Sequence, residues 1–237
     1  MCAINGITIN DVARVTRMNE RTKHRGPDGS SVYSDGKITL GHNRLAIIDV
    51  SSASDQPMKS NDGRYVIVYN GELYNYRELR AEIGTRYTFK SEGDTEVLLA
   101  SYIVWGAEMF EKLRGIFAFA IWDTKTETLI LARDHMGVNP LYYSLENGVL
   151  TFSSEMAALL LEKEDPLLNL ESAGFYLAME YVPGPSTLVK NVHKLQPGKL
   201  LTFRHGQCTQ SSFCSRSWEM KEVSNEKIYS TIDNAVS

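Results

Sequence analysis

Short apolar runs separated by turn-forming residues recur along most of the 237-residue chain. Runs rich in β-branched and aromatic residues, bounded by Gly, Asn, Asp or Ser, are typical of strands. Such stretches are CAINGI, SVYSD, ITLGHNRLAIID, RYVIVYNG, IFAFAIWD, TLILARD, LYYSL and VLTFSS. Residues 115–123 and 127–134, joined through DTKTET, predict a hairpin of two buried strands.

Helical spacing appears between these runs. Val12, Val15 and Met18 share one helical face behind Asp11, a typical N-cap. Asn75 with Glu78 resembles a capping box for YRELRAEI, while TEVLLASYIVW (with Asp94 as its N-cap) and SSEMAALLL predict two more helices. Many mainly antiparallel strands with interleaved helices predict an α+β fold, with helices covering the outer faces of sheets.

The pattern changes at residue 207. Residues 207–225 are polar and lose clear periodicity, which predicts a linker or poorly ordered segment after a domain at 1–206. In residues 226–237, Ile228 and Ile232 fall on one helical face together with Ala235 or Val236. This last segment finds no partner in the remaining sequence, so we expect it to begin a further domain or to dock as a helix.

The composition is that of an ordinary globular protein, with 43% hydrophobic and 23% charged residues. A net charge of −4 gives no electrostatic reason to expect nucleic acid or an anionic membrane as a partner. The three cysteines have no metal-binding spacing and suit a reducing compartment. Without a signal peptide or a run long enough to span a bilayer, we expect a cytoplasmic location and no metal site.

Cys2 is the first candidate for chemistry. If Met1 is removed, one residue carries both a thiol, with a pKa of about 8.5, and an α-amine, with a pKa of about 7.7–8.0. Nucleophile and base would then be matched near neutral pH. The alternative is a small buried hydrophobe without chemistry, which is what most cysteines are.

Asn70 and Gly71 follow a predicted strand in YNGELYN. Taken alone, Asn-Gly indicates a tight turn. In a second interpretation, the Asn70 amide and the unshielded Gly71 N–H donate to the oxyanion that forms when a thiolate attacks an amide.

Three charged residues would suit an amino-acid substrate. Arg44 lies in the apolar run ITLGHNRLAIID and is either a structural ion-pair partner or a bidentate clamp for a carboxylate. Asp94 is either a plain N-cap or a receptor for an ammonium, with Glu72 as a second candidate for that receptor. A carboxylate clamp, an ammonium receptor and an oxyanion hole together describe an α-amino acid with a side-chain amide.

The sequence resembles the N-terminal glutaminase domain of class II glutamine amidotransferases, most closely that of glutamine-hydrolysing asparagine synthetases. The resemblance runs nearly the whole chain in order, through MCAINGI, HRGPDGSSVY, GHNRLAIIDVS, QPM, YNGELYNYRELR, SEGDTEVLLASYIVWG, LRGIFAFAIWD, ARDHMGVNPLYYS, FSSEMAAL, EYVPGPST and KLQPG. It implies an N-terminal-nucleophile hydrolase fold, a four-layer αββα sandwich with two stacked sheets.

The resemblance also implies roles for individual residues. Cys2 would be the nucleophile and its α-amine the proton shuttle, with Asn70 and Gly71 as the oxyanion hole. Arg44 would hold the glutamine α-carboxylate, and Asp94 and Glu72 would receive the α-amine. The backbone of Leu45, Ala46, Ile47 and Ile48 would line the pocket.

Several features depart from that family. His135 and Asn139 stand where relatives commonly carry Arg and Lys, so two positive charges are missing. The chain has neither the SGGxDS loop of the ATP-using synthetase domain nor a Walker motif. We therefore expect no cofactor in this chain, with ATP and Mg²⁺ confined to a synthetase partner, whether truncated away or in a separate chain. A homodimer is a further expectation.

Three functions remain open at this point. The first is a glutaminase that supplies ammonia to an asparagine synthetase-like partner. The second is a non-catalytic binding or regulatory module of a synthetase complex. The third is an N-terminal-nucleophile hydrolase for another amide, which would not need Arg44 and Asp94 together.

Overall fold

The computed structural model of the chain describes residues 1–161, 163, 165–214 and 223–236, the side chains of 235 and 236 excepted. Its helices are α1 (Val12–Thr22), α2 (Tyr76–Ile83), α3 (Asp94–Trp105), α4 (Met109–Lys112), α5 (Met156–Leu159), α6 (Leu170–Met179) and α7 (Asn225–Val236). Its strands are β1 (Ala3–Ile7), β2 (Gly29–Ser34), β3 (Thr39–Arg44), β4 (Met58–Lys59), β5 (Tyr65–Leu73), β6 (Gly115–Asp123), β7 (Thr128–Arg133), β8 (Tyr142–Glu146), β9 (Val149–Ser153), β10 (His193–Lys194), β11 (Lys199–Arg204) and β12 (Gln207–Ser212).

The strands form two antiparallel sheets of six strands each. The first sheet has the order β10-β8-β9-β1-β3-β2, and the second has the order β12-β11-β7-β6-β5-β4. β1 lies between β3 and β9 in the first sheet, whereas β5 pairs along its full length with β6 in the second. Cys2 directly precedes β1, Arg44 ends β3 and Asn70 lies in β5, and all three of these strands are internal, which holds the residues in fixed register.

The two sheets pack face to face, with helices on both outer faces. Because successive residues of a strand point to opposite faces, Ile4 of β1 enters the core between the sheets, whereas Ile7 packs under α1 and α5. α2, α3 and α4 cover the other face of the second sheet around Phe117 and Phe119 of β6. This arrangement is the four-layer αββα sandwich that the resemblance implies, and the α+β prediction is confirmed.

Several local predictions are confirmed. β6 and β7 form the predicted hairpin, with Asp123 opposite Thr128. The Asp11 side chain accepts a hydrogen bond from the Arg14 N–H at 2.9 Å and caps α1.

Other local predictions are wrong. The Asn75 side chain makes no cap bond, because it pairs with the Lys112 carbonyl and the Arg114 N–H instead. Gly93 takes the N-cap of α3, and Asp94 is its first helical residue. The predicted helix in SSEMAALLL is one turn, α5, because Ser154 exchanges hydrogen bonds with Ile4 at the end of β9. α6 was not predicted, since its sequence is apolar without clear periodicity.

The predicted linker does not begin at residue 207. Residues 207–212 form β12, which extends the second sheet by pairing with β11 from Lys199↔Ser212 to Arg204↔Gln207. Polar residues suit this exposed edge strand, which explains why its sequence resembles a linker. Residues 215–222 of the predicted linker lie outside the described residues. α7 follows, with Ile228 and Ile232 exposed, and the described part of the chain contains no helix able to cross a membrane.

Candidate active site

All ten residues predicted for the site line one cavity of about 120 Å³. They come from four separate places: the start of β1, the end of β3 with the loop after it, the end of β5 and the first turn of α3. They are Cys2, Arg44, Leu45, Ala46, Ile47, Ile48, Asn70, Gly71, Glu72 and Asp94. The fold therefore brings together every residue that the sequence pattern and the resemblance proposed for the site.

Cys2 lies half-buried beside the residue that follows β3. Register places Ala3 opposite Asn43, which brings Cys2 alongside the end of β3, and the Leu45 N–H donates to Cys2 Sγ at 3.4 Å. The thiol in turn donates to the Leu45 carbonyl at 3.7 Å. Burial raises the pKa of the Cys2 thiol, while the Leu45 N–H and the positive chain terminus lower it. With Met1 in place, the net effect is an upward shift of the thiol pKa.

Arg44 is the last residue of β3 rather than the middle of a longer strand, which corrects the prediction. Its guanidinium donates to Asp55 Oδ1 at 2.6 Å and also to the Asp49 carbonyl oxygen. Both bonds connect Arg44 to the segment that follows it. Residues 45–48 of that segment form a loop that lines the cavity. Asp49 accepts hydrogen bonds from Ser51, Ser54 and Glu92, which hold the pKa of its carboxyl well below the ordinary value.

Asp94 is buried at the start of α3 and is held by two donors. The Tyr69 hydroxyl and the Leu73 N–H both donate to its Oδ2, at 2.9 and 3.0 Å. Burial raises the pKa of the Asp94 carboxyl, and these two hydrogen bonds lower it. Asp94 and Arg44 act on the Cys2 thiol in opposite directions, the carboxylate raising its pKa and the guanidinium lowering it. Glu72 lines the same cavity but is exposed.

Asn70 carries the most unusual feature of the cavity. Its side chain is 1% exposed, yet Nδ2 has no hydrogen-bond partner among the described residues. Buried amide donors are nearly always bonded, so this donor, in a residue that lines the same cavity as Cys2, is able to bind an acceptor oxygen. Gly71 follows it, opposite Phe117 of β6, and a Cβ there would lie 2.3 Å from the Ile116 carbonyl oxygen. Only glycine fits at this close approach of two strands.

Sequence reasoning assigned no role to two residues that contact the candidate site. Arg25 Nε donates to the Cys2 carbonyl at 3.0 Å, and its Nη1 lies 3.3 Å from Glu155 Oε1. Asn139 lines the cavity and donates to the Asn70 carbonyl at 3.1 Å. Arg25 belongs to the HRGPDG motif, and Asn139 is a departure from the family pattern. Both residues are therefore noticeable in the sequence, although the sequence alone does not give either of them a role.

Two histidines of the quoted motifs, His24 and His42, do not line the cavity that contains Cys2. His42 is buried against the Tyr69 carbonyl at 3.2 Å, and burial lowers its pKa to about 3, which keeps it neutral. His24 pairs with Glu155 at 2.9 Å on the surface. Among the described residues, no group of three or more His, Cys, Asp or Glu side chains could hold a metal ion.

Comparison with solved structures agrees with this architecture. Glutamine phosphoribosylpyrophosphate amidotransferase from Bacillus subtilis superimposes with a TM-score of 0.68 at 20% identity, over 91% of this chain and 50% of that one. At this identity the likeness establishes the fold alone. A second solved structure, an allosteric regulatory enzyme of purine biosynthesis, gives a TM-score of 0.66 over the same shares.

Sequence comparison adds the family. Asparagine synthetase [glutamine-hydrolyzing] 1 of Bacillus subtilis is 38% identical over 94% of this chain and 35% of its own length. Asparagine synthetase B of Escherichia coli is 38% identical over 68% of this chain and 30% of its length. The chain thus spans about a third of the length of these relatives. The glutamine amidotransferase domain profile matches residues 1–214, and the chain belongs to that family.

Proposed function

We propose that the chain is a glutaminase: it hydrolyses the side-chain amide of L-glutamine at Cys2 and supplies the ammonia to an ATP-dependent amide-forming partner. One observation carries the proposal, the unpartnered Nδ2 of buried Asn70 in the cavity that also contains Cys2. An unsatisfied donor costs stability unless a ligand completes it, and the oxygen of a substrate amide is such a ligand.

The reaction follows from the arrangement of Cys2, Asn70 and Gly71. With Met1 removed, the α-amine of Cys2 takes the thiol proton, and Sγ attacks the amide carbon of glutamine. The oxyanion accepts hydrogen bonds from Asn70 Nδ2 and the Gly71 N–H. The C–N bond then breaks, the α-ammonium returns its proton to the nitrogen, and ammonia leaves a γ-glutamyl thioester. Water, deprotonated by the same amine, cleaves the thioester to glutamate and regenerates the thiol.

The absence of a side-chain base supports this use of the α-amine. Within the described residues, both hydrogen-bond partners of Cys2 Sγ belong to the Leu45 backbone, which cannot take up a proton. A base is needed because the thiolate, and not the thiol, is the nucleophilic form of cysteine.

The charged walls of the cavity support an α-amino acid as substrate. Arg44 would receive the α-carboxylate with the N–H groups that its bonds to Asp55 and Asp49 leave available. Asp94, oriented by Tyr69 and Leu73, would receive the α-ammonium, with Glu72 at the rim.

The names of the relatives support asparagine formation, or amidation of a similar carboxylate, as the use of the ammonia. ATP and Mg²⁺ belong to the synthetase part in this proposal, whether it is a domain or a separate chain. Helix α6 offers a contact surface for the synthetase part. Ser172 is the only buried residue of this helix, and Leu170 and Leu177 are 75% and 85% exposed. A helix that is apolar and exposed is typical of a protein–protein contact.

Replacing the nucleophile tests the proposal. Cys2→Ala should abolish glutamate release from glutamine while the circular dichroism spectrum and unfolding midpoint stay those of the wild type. Cys208→Ala, which removes a half-buried thiol on β12, is the matched control and should retain release. Undiminished release by Cys2→Ala would refute the proposal. Binding of glutamine by the wild type without turnover would favour a non-catalytic module instead.

A further inference from the structure

The loop after β7 contributes a second cavity-lining residue, Asn139, whose side-chain amide is incompletely bonded among the described residues. The backbone of this loop is wound around the Asp134 carboxylate, which accepts hydrogen bonds from the N–H groups of Met136, Val138 and Asn139 at 2.9–3.3 Å. Arg133 Nε donates to the Asn139 carbonyl at 2.7 Å. Both backbone polar groups of Asn139 are thus bonded, and its side chain projects from a fixed position.

The orientation of the Asn139 amide is determined by its one hydrogen bond. Nδ2 donates to the Asn70 carbonyl at 3.1 Å, and a carbonyl can only accept, so the Oδ1 end must point the other way. Asn139 is 1% exposed, and its Oδ1 has no partner within the described ranges. A buried amide oxygen without a donor is as unusual as the orphan donor of Asn70.

The two orphan atoms complement one chemical group. Asn70 Nδ2 is a donor, Asn139 Oδ1 is an acceptor, and both residues line the cavity that contains Cys2. A primary carboxamide offers a carbonyl oxygen to the first and an N–H to the second. A carboxylate or an ester has the oxygen but no N–H.

We propose that Asn139 is a specificity-determining residue whose Oδ1 accepts an N–H of the substrate's side-chain amide. The inference rests on the proposed glutaminase function and names the group that selects amides over acids and esters. When the C–N bond breaks, the same oxygen keeps its hydrogen bond to the departing ammonia and takes up no proton. The product glutamate, with a carboxylate oxygen facing Oδ1, is repelled.

The test compares two substrates on each variant. We would measure kcat/KM for L-glutamine and for L-glutamate γ-methyl ester, subtracting the rate with Cys2→Ala. Asn139→Leu should lower the amide-to-ester ratio about tenfold, since the amide loses a buried acceptor that the ester never used. The ratio is independent of the fraction of folded enzyme, so a partly unfolded variant still gives a valid answer.

Asn43→Leu is the matched control. Asn43 is equally buried, donates through Nδ2 to the Asn19 carbonyl and also has an unpartnered Oδ1, but it does not line the cavity. It should leave the ratio unchanged. Equal losses of both substrates in Asn139→Leu would overturn the inference, because Asn139 would then act only by supporting Asn70. Absence of Cys2-dependent turnover of either substrate in the wild type would overturn the proposed function and the inference with it.

Discussion

Two groups of buried asparagines differ in how completely their amides are bonded. Between α1 and the first sheet, Asn5, Asn19 and Asn43 form an asparagine cluster with Thr22. Asn5 Nδ2 donates to Asn19 and Thr22, Asn43 Nδ2 donates to the Asn19 carbonyl and Thr22, and Ser153 donates to Asn5 Oδ1. In the cavity, Asn70 Nδ2 and Asn139 Oδ1 lack partners among the described residues.

The difference separates a structural use of a buried amide from a functional one. The cluster fastens α1 to β1 and β3, and only Asn43 Oδ1 in it is unpartnered. Nearly complete bonding makes such a network stabilising. In the cavity, Asn70 Nδ2 and Asn139 Oδ1 have no partner among the described residues, which lowers the free energy of unfolding of the protein without ligand. Substitutions in the two places should therefore act on different properties.

The largest effect is expected at Asn70. Asn70→Ala removes the proposed oxyanion donor and should lower kcat for glutamine about 10²–10³-fold. The free energy of unfolding should change by less than about 1 kcal/mol, because Nδ2 has no hydrogen bond to lose. Steady-state kinetics and urea unfolding measure the two quantities. A large loss of stability with little loss of activity would place Asn70 with the structural amides.

An intermediate effect is expected at Asp94. Asp94→Asn removes the charge opposite the substrate ammonium and should raise KM about 10-fold or more at neutral pH. Burial raises the pKa of the Asp94 carboxyl, so the ionised form is lost at a higher pH than for an ordinary aspartate. In the wild type, KM should therefore rise as the pH falls toward that raised pKa. A pH profile of KM in which the Asn variant keeps the same rise would show that another group is responsible.

The smallest effect on catalysis is expected at Asn19. Asn19→Ala removes the side-chain bonds to Asn5, Ser30 and the Ser31 carbonyl. The free energy of unfolding should fall by about 1–3 kcal/mol, because Asn5 loses a buried partner, while kcat/KM at a temperature well below the transition stays within about twofold. Chemical denaturation and glutaminase assays on one preparation make the test. Lost activity in a fully folded Asn19→Ala protein would break the distinction between the two groups of asparagines.

The sequence predicts the central strands and helices of this fold better than the edge strand β12 and the residues that cap helices. Alternation and capping signals were sufficient for the β6–β7 hairpin and for the start of α1, because those elements depend on local residues. β12 could not be distinguished from a linker, since a polar edge strand owes its structure to pairing with β11. The Asn75 cap failed for the same reason, because a distant backbone at Arg114 competes for the side chain.

The sequence nominates candidate site residues where their chemistry is distinctive, and it gives little signal where a role depends on hydrogen bonds formed only in the folded chain. Cys2, Arg44 and Asp94 could be nominated because thiols and buried charges are few. The sequence shows Asn139 as a departure from the family pattern but gives it no role, because its Oδ1, which has no partner among the described residues, is evident only in the folded structure. Tyr69 lies inside the motif YNGELYN, but its sequence position does not reveal that its hydroxyl donates a hydrogen bond to the Asp94 carboxylate.

The most direct test of the site is the intact mass of the purified chain before and after incubation with 6-diazo-5-oxo-norleucine, a glutamine analogue that alkylates an amidotransferase nucleophile. Peptide mapping then locates the adduct. We expect a mass lacking Met1 and a single adduct on Cys2, with Cys208 and Cys214 unmodified. A retained Met1, or no adduct on Cys2 in a folded chain, would contradict the account.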